Sequence, residues 1–165
     1  MKTLILVRHG KSSWDQPALA DFDRPLLPRG QKDARLIGEF LAGHHLVPDV
    51  IRVSPALRAR ETARILADAL GYPTAGIDEE PAIYEAAVSD LLGVLRATRN
   101  GDTLLMVGHN PGFSVLLNSL TDETHEDLPT CGTAVVEFNV KEWSDILPGS
   151  GRLRWLQRPK QLRGD

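Results

Sequence analysis

Apolar positions fall into two kinds of pattern along this chain. Short continuous runs, Leu4-Ile5-Leu6-Val7 first among them, read as strands buried on both faces; this run predicts a strand over 3–7. Similar strands are predicted over 49–53 and 103–107. Helical spacing appears between them. Ala34, Ile37 and Leu41 line one face of a helix over 29–42, with Leu36 and Phe40 beside them and Gly43 fitting its end. Ser54-Pro55 is a cap followed by a proline, so it predicts a helix start. That helix buries Ala59, Ala63, Leu66 and Leu70 and stops at Gly71. A further helix is expected over 89–98 and another from Asn110-Pro111 to about residue 120. Residues 133–140 and 152–157 alternate like strands. The order predicts an α/β fold of one domain over 1–165. It should be a three-layer α/β/α sandwich with a mostly parallel sheet and an antiparallel edge near the C-terminus. Residues 158–165 are expected to be a mobile tail.

Composition narrows the function classes. The chain has 165 residues, 42% hydrophobic and 25% charged, which suits one soluble domain and is too apolar for disorder. A net charge of -3 argues against a protein that coats nucleic acid. The 14 Arg and 5 Lys still leave room for a dedicated anion site. One cysteine, Cys131, cannot form an internal disulfide or a cysteine-rich zinc site. The N-terminal apolar run is too short for a signal peptide, and no stretch matches a membrane span. The expected setting is cytoplasmic.

Two of the buried strands end in histidines, at Arg8-His9-Gly10 and at Gly108-His109-Asn110. Parallel sheets place ligands outside the carboxyl ends of their strands, so His9 and His109 are expected to meet there. Arg58 lies in or just after the first turn of the helix that follows the second strand, where an anion is favoured. Arginines suit a phosphoryl group because they can grip its oxygens bidentately. A neutral imidazole can attack phosphorus, and a second one, when protonated, can stabilise the transition state. No carboxylate adjoins either histidine in sequence to build a hydrolytic metal site.

Leu6-Val7-Arg8-His9-Gly10, Ser54-Pro55-Ala56-Leu57-Arg58-Ala59-Arg60-Glu61-Thr62-Ala63 and Val107-Gly108-His109-Asn110-Pro111 together resemble the histidine phosphatase superfamily, with its phosphoglycerate-mutase-like fold. Pro25-Leu26-Leu27-Pro28-Arg29-Gly30 resembles the family's link into its first helix. The short length and the ending Arg158-Pro159-Lys160-Gln161-Leu162 look most like the small SixA-type phosphohistidine phosphatases. The resemblance implies that His9 is a nucleophile that becomes phosphorylated, with Arg8, Arg58 and His109 completing the phosphate pocket. It implies no metal and no cofactor. The implied partner is a phosphohistidine-bearing protein such as a phosphotransfer domain. A small phosphate ester is the alternative substrate, and a non-catalytic phosphate-binding module the alternative class. Only about 17 residues separate Gly71 from the helix near Ser89, too few for the large lid of the superfamily's mutases.

Two further residues carry weaker signals. Glu85, in Ile83-Tyr84-Glu85, sits where many members keep a general acid; the competing reading is a surface glutamate. An alkoxide leaving group needs such a proton donor, whereas imidazole leaves more easily. Ser12 follows the Arg-His-Gly motif and either bonds a phosphate oxygen or is a loop hydroxyl. Lys11 stands where SixA-type proteins can carry an acid, which makes the pocket mouth more positive. Trp14 is either a wall of the entrance or an ordinary surface aromatic. His44, His45 and His125 read as surface residues, and Cys131 as a packed one.

Overall fold

The computed structural model describes residues 1–164. Six strands form one sheet: β1 (Lys2–Arg8), β2 (Val50–Val53), β3 (Asp78–Glu79), β4 (Thr103–Gly108), β5 (Thr133–Phe138) and β6 (Arg152–Gln157). Their spatial order is β3-β2-β4-β1-β5-β6. The first four are mutually parallel, and β5 and β6 add an antiparallel edge. Among the described residues five α-helices accompany them: α1 (Pro28–Gly43), α2 (Leu57–Leu70), α3 (Val88–Arg96), α4 (Gly112–Thr121) and α5 (Pro159–Arg163).

The two faces of β1 explain the layering. Leu4 and Leu6 pack with Leu104, Met106 and Val136 against Leu91 of α3 and Leu116 of α4. Ile5 and Val7 point the other way, joining Ile51, Val53, Leu105 and Val107 against Ile37 of α1 and Leu66 of α2. All four β1 residues have no solvent exposure. Each such side chain contributes roughly 1.5–3 kcal/mol by leaving water. The sandwich therefore has three layers, as the sequence pattern predicts.

Some local expectations change. Helix α2 begins at Leu57 with Ala56 as its cap, not at Ser54. The Ser54 hydroxyl accepts from Ala56 N at 3.2 Å and is otherwise engaged with a histidine described below. Helix α1 runs through Gly43 to a cap at His44, and the left-handed residue is His45, with φ 58. Leu46 N donates to Leu41 O at 2.9 Å there, which buries Leu46. His44 stacks on Trp155 with ring centroids 4.9 Å apart. The expected loose tail instead folds into α5 on the α1 face. Pro159 is buried at its start, Gln161 Oε1 accepts from Arg158 N at 3.0 Å, and Arg163 grips the buried Asp33 at 2.8 and 3.0 Å. Residue 165 lies outside the described residues. Among those described, no helix is long and apolar enough to cross a membrane.

Candidate active site

The chain brings its charged and imidazole side chains together where β1, β2 and β4 end. Arg8 is the last residue of β1, and the backbone after it is held from both sides. His9 N donates to Gly108 O at 3.0 Å, Arg8 N to Gly132 O at 3.1 Å, and Cys131 N to Arg8 O at 2.9 Å. A Cβ on Gly10 would lie 2.9 Å from Gly30 O, and one on Gly30 would lie 2.4 Å from Lys11 O. Both positions require glycine because the loop after His9 presses on the first turn of α1. Gly10 N also donates to Thr62 Oγ1 at 3.0 Å, and that hydroxyl donates to Arg58 O at 2.8 Å. Thr62 thus ties the loop after β1 to the turn of α2 that carries Arg58.

His9 is buried, with Nδ1 2.7 Å from Gly10 O. The carbonyl can only accept, which assigns the proton to Nδ1 and leaves a lone pair on Nε2. Arg58 Nε donates to that Nε2 at 3.3 Å. Burial, with His109 and two guanidiniums nearby, pulls the His9 pKa down to about 3. The imidazole is therefore neutral and nucleophilic at physiological pH.

His109 follows β4, its ring centroid 5.2 Å from that of His9. Its Nδ1 lies 3.4 Å from Arg58 Nη2, a donor, so Nε2 carries the proton and donates to Ser54 Oγ at 2.7 Å. Burial first, then Arg58, lowers its pKa to about 4. The second imidazole is thus also neutral; Asp21 pulls its pKa upward against burial and Arg58, and an arriving anion would favour its protonation further. Arg8 donates through Nη1 to Leu128 O at 3.0 Å, while its buried Nε has no hydrogen-bond partner among the described residues. Burial lowers the Arg8 pKa from its ordinary value.

A cavity of about 350 Å³ is lined by Arg8, His9, Ser12, Arg58 and His109 together. Lys11, Trp14 and Arg24 line it as well. Trp14 is 76% exposed and lies over the Arg24 guanidinium at 3.5 Å, so it forms part of the entrance. Ser12 is buried, and its hydroxyl accepts from Arg24 Nη1 at 2.9 Å. Glu85 is not in this cavity. It is exposed, with φ 52, and lines an adjoining cavity of about 220 Å³ whose shared wall is His109 and Asn110. A left-handed backbone at a glutamate is uncommon and frequent near functional sites.

Four further residues belong to this constellation without a sequence signal strong enough to find them. Asp21 accepts from Arg58 Nη2 at 3.1 Å and from Tyr84 Oη at 2.8 Å. Arg24 is buried and bonded to Asp21 and Ser12. Ser54 holds His109. Asp21 and Arg24 lie in the Pro-punctuated segment 8–28, where no periodicity says which side chains turn inward. Among the described residues no group of three His, Cys, Asp or Glu is placed to hold a metal ion.

Residues 4–94 match the histidine phosphatase superfamily (branch 1). An uncharacterized chloroplastic protein of Arabidopsis thaliana is 31% identical over 171 residues, covering 96% of this chain and 78% of that protein. A 2,3-bisphosphoglycerate-dependent phosphoglycerate mutase of Parvibaculum lavamentivorans is 38% identical, but over only 93 residues, 55% of this chain and 44% of the mutase. The structure of the protein histidine phosphatase SixA complexed with tungstate superposes with a TM-score of 0.83 at 27% identity, covering 97% of this chain and 99% of SixA. With a family match over more than half its length and a fold that follows SixA from end to end, the chain belongs to the histidine phosphatase superfamily, in its SixA-type branch.

Proposed function

We propose that this protein is a phosphatase that removes the phosphoryl group from phosphohistidine in a partner protein. His9 Nε2 attacks phosphorus, the P–N bond to the substrate imidazole breaks, and that imidazole takes a proton from water. Water then attacks the phosphoryl group on His9, the P–Nε2 bond breaks, and inorganic phosphate leaves. Arg8 and Arg58 stabilise the charge on the equatorial oxygens, joined by His109 once an anion favours its protonation.

The observation that carries this reading is the state of His9. It is buried and neutral, its Nδ1 proton is committed to Gly10 O, and its unprotonated Nε2 accepts from Arg58 Nε. A binding module would have no use for a nucleophile prepared in this way. Positive charge comes from side chains, so activity should persist in EDTA. Loss of activity in EDTA with recovery on adding a divalent ion would contradict this assignment. The open mouth at Trp14 favours a protein substrate. A reducing, cytoplasmic setting accords with the single, buried Cys131.

A second reading, a phosphatase for small phosphate esters, is favoured by Glu85. Its unusual backbone and its place beyond His109 suit a proton donor to an alkoxide. Rates on a phosphohistidine protein, an aryl phosphate and an alkyl phosphate separate the two. The phosphohistidine reading expects the protein substrate to have the highest kcat/KM. Preference for the alkyl ester would reverse the order.

A further inference from the structure

Asp21 stands at the centre of the cationic groups. Its Oδ2 accepts from Arg58 Nη2 at 3.1 Å and from Tyr84 Oη at 2.8 Å. Its Oδ1 accepts from Arg24 Nε at 3.2 Å, and Arg24 Nη2 is 3.1 Å away. The Asp21 carbonyl accepts from Arg58 Nη1 at 2.7 Å. One short acidic segment therefore takes up the outward-facing donors of two arginines and a tyrosine. Arg58 Nη2 is shared between Asp21 and His109 Nδ1, which places this carboxylate beside the imidazole pair.

The partners differ in freedom. The side chains of Arg58 and Arg24 are 6% and 10% exposed, whereas that of Asp21 is 48% exposed. Asp21 opens a one-turn helix, Asp21–Asp23, that contains no buried residue. The cations are fixed in the protein and the carboxylate is the partner able to move away. A phosphate oxygen presents these donors with the same chemistry as a carboxylate oxygen.

We propose that Asp21 is an internal anion that competes with phosphate for Arg58 and Arg24, weakening the hold on inorganic phosphate and so favouring its release. The inference rests on Arg58 being a phosphate ligand, and it holds whichever phosphorylated substrate the protein uses. A purely supporting role for Asp21 predicts the opposite sign, because a loosened Arg58 would bind phosphate less well.

Direct calorimetric titration with inorganic phosphate decides between them. Asp21→Asn removes the charge but keeps the side-chain shape and one of the two acceptor oxygens. Asp21→Ala removes both. Both variants are expected to bind phosphate more tightly, Asp21→Asn by about tenfold, since a full charge beside the anion is lost. Thermal melting checks that both remain folded. An unchanged or weaker affinity in Asp21→Asn overturns the inference. Arg58→Ala separates this from the wider reading. Loss of phosphate binding there, with Asp21→Asn unchanged, overturns only the role of Asp21. Phosphate binding indifferent to Arg58→Ala overturns the role of Asp21 and the anion site together.

Discussion

His9 and His109 are held neutral by burial, and this makes the protein's stability depend on pH in a definite direction. Their pKa values fall from the ordinary 6.5 to about 3 and about 4. The unfolded chain therefore binds protons first, and stability should fall as pH drops through 6.5 toward 4. Denaturant titrations at pH 7 and pH 5 should show this loss in the wild type and less of it in His9→Asn with His109→Asn. Equal losses would mean that the imidazoles are solvated. Arg58 touches His9, His109 and Asp21 through three different nitrogens, so a point charge cannot replace it. Arg58→Lys should cost about a hundredfold in kcat/KM. Near wild-type activity would remove Arg58 from the site. For Glu85, the discriminating quantity is a ratio. If it is a general acid, Glu85→Gln slows an alkyl phosphate far more than an aryl phosphate or phosphohistidine. A solvated glutamate gives small and equal effects. Residues 8, 9, 58 and 109 were legible in the sequence because each closes a strand or opens a helix beside one. Asp21, Arg24 and Tyr84 were not, because they reach the site from irregular segments whose inward direction only the folded chain defines.

The elements meet closely at one place that can be probed by adding a single methyl group. A Cβ on Gly30 would lie 2.4 Å from the carbonyl oxygen of Lys11 and 2.8 Å from its nitrogen. Backbone on both sides leaves no soft partner, so Gly30→Ala should force α1 from the loop after β1 and destabilise by roughly 1–3 kcal/mol. Gly93, in the exposed part of α3, has nothing within 4 Å of its Cβ position. Gly93→Ala should be neutral or stabilising by up to about 1 kcal/mol. Urea midpoints of the two variants against wild type test the contrast. All six sheet-forming segments except β3 were readable as strands. The two-residue β3 offers too short a run for any period to show. Helix α2 starts beyond the cap that Ser54 predicts, because the Ser54 hydroxyl serves His109 in space. Helix α5 has no signature in the sequence, because a five-residue, largely polar segment has no apolar stripe. It is held instead by the distant Asp33 and by Glu126, which pairs with Arg158.

At the scale of the whole molecule, four parallel strands align their carboxyl ends, and that alignment assembles residues fifty and a hundred positions apart. The order of strand and helix signals already implied this crevice. The path of residues 8–28 over it, which decides which side chains flank the cavity, is not implied by that order. The α1/α2 layer carries Arg58 and the Gly10–Gly30 contact, while the other layer supports His109 through Phe113, whose N donates to His109 O at 3.0 Å. Both layers must fold for His9 and the guanidiniums around it to meet. The most direct test of the account is rapid quenching of the enzyme during turnover of a labelled phosphohistidine protein, followed by mapping of the label. A phosphoryl group that is acid-labile and base-stable is expected on His9, and none in His9→Ala, which should also be inactive. Label on another residue, or full activity in His9→Ala, would contradict it.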